Sequence, residues 1–266
     1  MDHLSELENQ SIFIIREAYR QFKKVAMLWS IGKDSTALLW LVRKAFYGKL
    51  PFPVMHLDTG HKFQEIYQFR DKYAREWGLD LIVYKNQAAI DRGVCPDKGK
   101  LECCTELKTN ALKDAIAKNN FRALYLGIRR DEHGIRAKER VFSPRDEDFE
   151  WNYREQPPEL WDQYKTKAKD EEHLRIHPLL GWTELDVWEY VKRENLPVVE
   201  LYLSKDGKRY RSIGCETCCN PVDSKAGTVD EIIEEIRTTD VSERSGRAQD
   251  KESAYMMQKL RSLGYM

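Results

Sequence analysis

The sequence contains one short loop whose residue types suit the binding of a phosphate group. Ser30–Ser35, with the sequence Ser-Ile-Gly-Lys-Asp-Ser, lies between a continuous apolar run and a segment with helical periodicity. Small residues let the backbone approach an anion, and a helix start offers free N–H groups with a partial positive charge. The loop lacks the Walker A pattern, so transfer of a γ-phosphate is not implied. Taken alone, it is either a phosphate site or an ordinary turn from strand to helix.

Polar residues also follow two other predicted strands. Asp58-Thr59-Gly60 ends the second strand, and Arg129, Arg130 and Arg136 follow the fourth. The carboxyl ends of parallel strands meet at one edge of a sheet, where open α/β folds bind ligands. A carboxylate there suits a ribose or a metal ion, and guanidinium groups bind phosphate oxygens in a bidentate way. The alternative for the arginines is a solvated loop with internal ion pairs.

Four of the six cysteines fall in two tight pairs, Cys103 with Cys104 and Cys215 with Cys218. The grouping favours metal ligation over disulfides in a reducing compartment. Four thiolates could equally bind a structural zinc ion. The simpler alternative is that these cysteines are buried and bind no metal. Cys95 and Cys219 are left without an assigned role.

Alternating strand and helix patterns predict how these residues are positioned. Such alternation is typical of an α/β fold, a parallel sheet with helices on both faces. The predicted strands are 25–31, 53–57, 79–84 and 123–127, and the predicted helices are 4–22, 36–46, 62–77 and 106–119.

The second half of the chain has a different character. Arg129–Lys169 is dense in charge and predicts loops, whereas Thr183 predicts the N-cap of a helix with Asp186 three residues on. A strand over 175–180 and a helix over 229–237 are also expected, and Ser242–Asp250 is expected to be a mobile, charged tail. We predict a domain over residues 1–200 and a C-terminal segment over 201–266.

The composition excludes several classes of protein. The 44 basic residues match the 44 acidic ones, so the basic excess of proteins that bind long tracts of nucleic acid is absent. A content of 41% hydrophobic residues argues against global disorder. No apolar run reaches the length of a membrane helix and the start does not read as a signal peptide, which predicts a cytoplasmic protein with no membrane partner.

Several motifs together resemble the PP-loop ATP pyrophosphatases of the PAPS reductase family, and within it the small subunit of bacterial sulfate adenylyltransferase. The resemblance implies a Rossmann-like fold of the adenine nucleotide α-hydrolase type and cleavage of ATP between its α- and β-phosphates, usually with Mg²⁺. The matching motifs are Ser30–Ser35, His56–Gly60, Gly127–Arg140, Pro178–Trp188 and Ser242–Arg247.

The resemblance also implies roles for individual residues. The loop would hold the pyrophosphate end of ATP, Asp58 and Gly60 would lie near the adenosine, and Arg129, Arg130 and Arg136 near the phosphates or the acceptor anion. Lys33, Asp34 and the three arginines are the candidate catalytic residues. The loop residues expected to bind ATP are Ser30, Gly32, Lys33, Asp34 and Ser35.

The cysteine segments resemble a different branch of the same family. Cys103-Cys104 and Ser212–Val222 are similar to the iron–sulfur motif of assimilatory APS reductases, which implies a [4Fe–4S] cluster on Cys103, Cys104, Cys215 and Cys218. The catalytic cysteine of those reductases has no counterpart, because no cysteine follows Cys219.

The combination resembles the ATP pyrophosphatases of bacterial DNA phosphorothioation. It predicts adenylation of a DNA phosphate, followed by displacement of AMP by sulfur from a cysteine desulfurase, with DNA-handling partner proteins. The alternative is a sulfate adenylyltransferase subunit that works with a GTPase large subunit. A homo-oligomer is compatible with either interpretation.

Overall fold

A computed structural model describes residues 2–156, 158–159, 161, 164, 173–247, 259–260 and 262–263. Its central sheet has six strands in the order β3-β2-β1-β4-β6-β5. The strands of this sheet are β1 Val25–Leu28, β2 Val54–Leu57, β3 Leu81–Tyr84, β4 Ala123–Tyr125, β5 Phe142–Arg145 and β6 His173–Ile176. A second, two-stranded sheet pairs β7 Lys208–Arg209 with β8 Val222–Asp223.

Eight α-helices accompany these strands in the described part of the chain. They are α1 His3–Phe22, α2 Lys33–Ala45, α3 Gln64–Glu76, α4 Gln87–Asp91, α5 Lys100–Cys104, α6 Ala111–Asn119, α7 Glu184–Arg193 and α8 Val229–Thr238. The predicted α/β class with a parallel sheet is confirmed: β1, β2, β3, β4 and β6 run parallel.

The middle of the sheet is buried on both faces. All residues of β1, β2 and β4 are buried, as their continuous apolar sequences predict. Trp29, directly after β1, is fully buried and donates a hydrogen bond from Nε1 to Oγ1 of Thr36 in α2 (3.1 Å). The loop after β1 is therefore tied to the helix that follows it.

The edge strand β5 was not predicted, because its segment was expected to form loops. It pairs antiparallel with β6 and contains Pro144, which a sheet tolerates at an edge. Arg145 and Glu139 form a fully buried ion pair of 2.9 Å. The charges that suggested an exposed loop lie partly inside the protein because they neutralise each other.

The helix expected over 106–119 begins earlier. A π-helical stretch, Thr105–Asn110, joins α5 to α6, so the polypeptide is helical from Lys100 and includes Cys103 and Cys104. The predicted capping box at Thr183 is confirmed, with the Asp186 carboxylate returning to the Thr183 N–H at 2.8 Å.

The C-terminal segment packs on the same core as the sheet. Ile232 and Ile233 of α8 are buried in that core. The prediction of a mobile tail was wrong for residues 242–247, where Glu243, Arg244 and Arg247 are buried, while residues 248–250 lie outside the described residues. The domain division at residue 200 stays a prediction. Of the described helices, none combines the length and the apolar character needed to cross a membrane.

Replacing Gly127 by alanine is expected to lower the free energy of unfolding by about 1–3 kcal/mol. A Cβ atom at this position would lie 3.0 Å from backbone atoms of Asp34 and Ser35, at the start of α2. Gly181→Ala is the matched control, because a Cβ there meets no atom within 4 Å. Urea unfolding of both variants checks the difference, and equal stability would contradict the tight contact between β4 and α2.

Candidate functional site

A cavity lies at the carboxyl edge of the sheet, where β1, β2 and β4 end. The phosphate-binding candidate loop Ser30–Ser35 forms one wall, and Gly127 and Ile128 after β4 form another. Residues of the C-terminal segment, Arg244 and Arg247, complete the lining. The predicted loop and the predicted edge therefore come together as expected for an open α/β fold.

The loop has the geometry of an anion site. Ile31 has a φ of 69°, and this turn leads into α2, whose N-cap Gly32 makes no side-chain capping bond. Ser35 Oγ donates to Gly32 O (3.0 Å) and lies 3.1 Å from Ser30 Oγ, so both hydroxyls line the same side of the turn. The start of a 13-residue helix offers its partial positive charge here.

Tyr202 supports this loop and was missed in the sequence. Its hydroxyl accepts a hydrogen bond from the Lys33 N–H (3.0 Å), and its ring lies 5.9 Å from Lys33 Nζ. Tyr202 is buried, and burial raises the pKa of its hydroxyl. Tyr202 is therefore a neutral residue from the C-terminal part of the chain that holds the first turn of α2 in place.

Lys33 and Arg129 meet the carboxylates of Asp34 and Glu243. The Lys33 ammonium contacts Glu243 and lies 3.4 Å from Asp34, while Arg129 contacts both carboxylates. Burial alone would raise the pKa of Glu243, but Arg129 and Lys33 hold it well below its ordinary value. Arg129 also bonds Asp131 at 2.9 Å. Glu243 is the unexpected member, because it comes from the predicted mobile tail.

The other predicted arginines differ in placement. Arg130 is exposed, whereas Arg136 lines the cavity and pairs with Glu132. Arg244 joins the same carboxylate at 2.9 Å. The predicted arginine group is thus divided, and only Arg136 of its three members lines the cavity.

Asp58 is held away from the cavity lining by its own partners. It accepts hydrogen bonds from Gly60 N (2.8 Å) and Tyr67 Oη (2.9 Å) and pairs with Lys85 at 3.0 Å. Burial would raise its pKa, but these donors lower it. His56, at the start of the matched motif 56–60, is fully buried with Nδ1 2.9 Å from Trp29 O, and burial lowers its pKa to about 4.

A second group of cations, Lys62, Lys108 and Arg247, also lines the cavity. Burial lowers the pKa of Lys62, and the neighbouring Lys108 and Arg247 lower it further, whereas Cys215 and Cys219 raise it. Arg247 Nη1 lies 2.7 Å from the Cys219 sulfur, and Lys108 Nζ lies 3.8 Å from the Cys104 sulfur. Sulfur atoms are thus the near neighbours of these cations.

All four predicted ligand cysteines are buried beside this cationic group. Burial raises the pKa of Cys103 to about 12, and Cys104 and Cys215 add to that rise through their charge. For Cys215 burial is outweighed: Lys108, Lys62 and a 3.3 Å contact with the Thr59 hydroxyl lower its pKa to about 6.

The two cysteine pairs, far apart in sequence, therefore come within electrostatic range of each other. Even so, no three or more Cys, His, Asp or Glu side chains within the described ranges are arranged to hold a metal ion. The four-thiolate metal centre thus stays a prediction.

Several further residues of this site have recognisable signals in the sequence. Lys62 follows the predicted loop 58–60 by two residues, and Lys108 lies one helical turn after Cys104. Glu243 and Arg247 belong to a matched motif, 242–247, that was interpreted as a tail. Tyr202 had no local signal, because it reaches Lys33 across 169 residues.

Comparison with known proteins gives consistent results over the whole chain. Residues 24–221 match the phosphoadenosine phosphosulfate reductase domain. Sulfate adenylyltransferase subunit 2 of Saccharophagus degradans is 43% identical, and that of Bacteroides fragilis 42%, each over 100% of this chain and 98% of the relative.

Solved structures share the fold at low sequence identity. A phosphoadenylyl-sulfate reductase from Candida auris, in a phosphate complex, is 18% identical with a TM-score of 0.57, covering 84% of this chain and 97% of that one. FMN adenylyltransferase from Candida glabrata, in complex with ATP, is also 18% identical with a TM-score of 0.57, covering 82% and 63%. At this identity they support the Rossmann-like fold only.

The prediction of a DNA phosphorothioation protein was wrong. Relatives matching the entire chain at 42–43% identity are sulfate adenylyltransferase subunits 2, which was the alternative interpretation. The cysteine segments resemble a different branch of the family, whereas the motifs shared with sulfate adenylyltransferase subunits are spread over residues 30–247. The predicted cysteine desulfurase and DNA-handling partners are withdrawn with it.

Proposed function

Because the chain belongs to the phosphoadenosine phosphosulfate reductase domain family, we propose that it is the adenylylating subunit of a sulfate adenylyltransferase. A sulfate oxygen attacks the α-phosphorus of ATP, the bond to the β-phosphate oxygen breaks, and adenylyl sulfate and pyrophosphate form. The full-length similarity to sulfate adenylyltransferase subunits 2 carries this proposal. That name implies a large subunit, and the proposed partner is a GTPase in the cytoplasm.

The loop Ser30–Ser35 is proposed to bind the pyrophosphate end of ATP. Ser30 and Ser35 hydroxyls and the start of α2 supply donors, and Lys33 supplies charge that neutralises the leaving pyrophosphate. Mg²⁺ usually bridges phosphate oxygens in such reactions, so Mg-ATP is the proposed substrate form. Asp58 and Gly60 are proposed to lie near the adenosine, because Leu57, directly before them, lines the cavity.

Sulfate is proposed to bind at Lys62, Lys108 and Arg247. These cations line the same cavity as the loop Ser30–Ser35, whereas Arg129 is enclosed by carboxylates and Arg130 is exposed. A dianion between three cations relieves their mutual repulsion. In-line displacement then requires a sulfate oxygen to approach the α-phosphorus from the side away from the pyrophosphate.

The complete enzyme is expected to release pyrophosphate from ATP only when sulfate is present, together with adenylyl sulfate. Lys33→Ala should lower this rate by about 10²–10³-fold, because the leaving group loses its neutralising charge. Lys118→Ala, on the exposed face of α6, is the control. Chromatography of the nucleotide products checks the bond that is cleaved, and ADP with inorganic phosphate would contradict the proposal.

Lys108→Met should raise the KM for sulfate by about tenfold or more, because one of three cations around the dianion is lost. The Kd for Mg-ATP should change little, because Lys108 lies outside the loop Ser30–Ser35 that is proposed to bind the pyrophosphate end of ATP. Initial rates across sulfate concentrations, with ATP binding measured separately, distinguish the two constants. A loss of ATP affinity with an unchanged KM for sulfate would place the acceptor elsewhere.

The predicted [4Fe–4S] cluster is tested independently of the reaction. Protein purified without oxygen should be brown and contain iron and sulfide, and Cys103→Ser or Cys215→Ser should remove the colour. Cys95→Ser, which alters a cysteine outside the buried group, is the control. Colourless protein with one zinc ion would support the structural-zinc alternative, and metal-free protein would mean unliganded cysteines.

A further inference from the structure

One carboxylate occupies the position in which the proposed function needs a phosphate. Glu243 lies in the segment Ser242–Arg247, here called the C-terminal strap, and contacts both the Lys33 ammonium and the Arg129 guanidinium. The side chains of Glu243, Lys33 and Arg129 are 6%, 1% and 0% exposed. The Lys33 ammonium is therefore occupied while Glu243 stays in place.

The charges around Lys33 and Arg129 disfavour nucleotide binding as long as Glu243 remains in contact with them. Arg129 also contacts Asp34 and Asp131, and Lys33 lies 3.4 Å from Asp34. Two buried cations therefore face three carboxylates before any phosphate arrives. In a site with little water, adding a polyanion beside a fixed carboxylate is strongly repulsive.

The strap has anchors that do not involve Glu243. Arg244 pairs with Glu132 at 2.9 Å, and the Asn220 N–H donates to Gly246 O at 2.9 Å. Arg247 bonds the Cys219 sulfur at 2.7 Å and packs against Gly214, where a Cβ atom would collide with its guanidinium. The Glu243 side chain can therefore leave the cations while these anchors remain.

We propose that Glu243 is a displaceable stand-in for a phosphate group, so that the strap blocks the phosphate loop until the pyrophosphate end of ATP replaces the carboxylate. The inference rests on the proposed function, because it assumes that phosphates bind at Lys33. It predicts competition between Glu243 and the ligand. A permanent positioning role for Glu243 predicts the opposite sign, since ligand binding would then need the carboxylate.

The deciding experiment is titration of the full-length chain with inorganic pyrophosphate and with Mg-ATP, by calorimetry. Glu243→Gln keeps the shape of the side chain and removes its charge, so both ligands should bind about tenfold more tightly, which is about 1.4 kcal/mol. Glu234→Gln, a change on the exposed face of α8, should leave both affinities unchanged. Weaker or unchanged binding in Glu243→Gln would overturn the proposal.

A measurement on the wild-type chain keeps the test valid should Glu243→Gln fold poorly. Saturating pyrophosphate should speed hydrogen exchange of the backbone amides of residues 242–247, because the strap loses one contact. Slower or unchanged exchange there would overturn the proposal.

Neither measurement requires sulfate or turnover. Absence of sulfate-dependent pyrophosphate release together with tighter pyrophosphate binding by Glu243→Gln would reject the proposed function alone. Normal release with weaker binding would reject only the role of Glu243.

Discussion

The compensation of buried positive charge is the constraint on which the rest of this structure depends. An anion site at a sheet edge needs cations, and Lys33 and Arg129 are almost completely removed from water. Such groups require partners at all times, because an unpaired buried charge is very costly. In the described structure Asp34, Asp131 and Glu243 supply that compensation. The C-terminal segment is drawn into the site by the same requirement.

The site has two groups of cations that are compensated differently. Carboxylates surround Lys33 and Arg129, while Lys62, Lys108 and Arg247 have cysteine sulfurs among their near neighbours. A thiol compensates a cation only when it is ionised. Lys108 and Lys62 favour that ionised form, because they lower the pKa of Cys215. The cysteine group is therefore electrostatically linked to the cations at which we propose that sulfate binds.

Local patterns predicted the elements where the physical signal is local. The continuous apolar strands, the helix after Lys33 and the capping box at Thr183 depend on residues close in sequence, and the structure contains all of them. The strand at Phe142–Arg145 was missed because its charges are neutralised by Glu139 and its edge position tolerates Pro144. A high density of charged residues predicts an exposed segment only where those charges do not form buried ion pairs.

The sequence by itself determined the α/β class, the strand-loop-helix arrangement around Ser30–Ser35 and the family, because strand periodicity and the spacing of short motifs are properties of neighbouring residues. The tertiary structure alone decided which side chains share the cavity. Tyr202 reaches Lys33 across 169 residues, and Glu243 reaches it across 210. The tertiary structure also encloses Arg129 among carboxylates, exposes Arg130 and places Arg136 in the cavity lining. These outcomes follow from long-range packing and charge neutralisation, which no local pattern encodes.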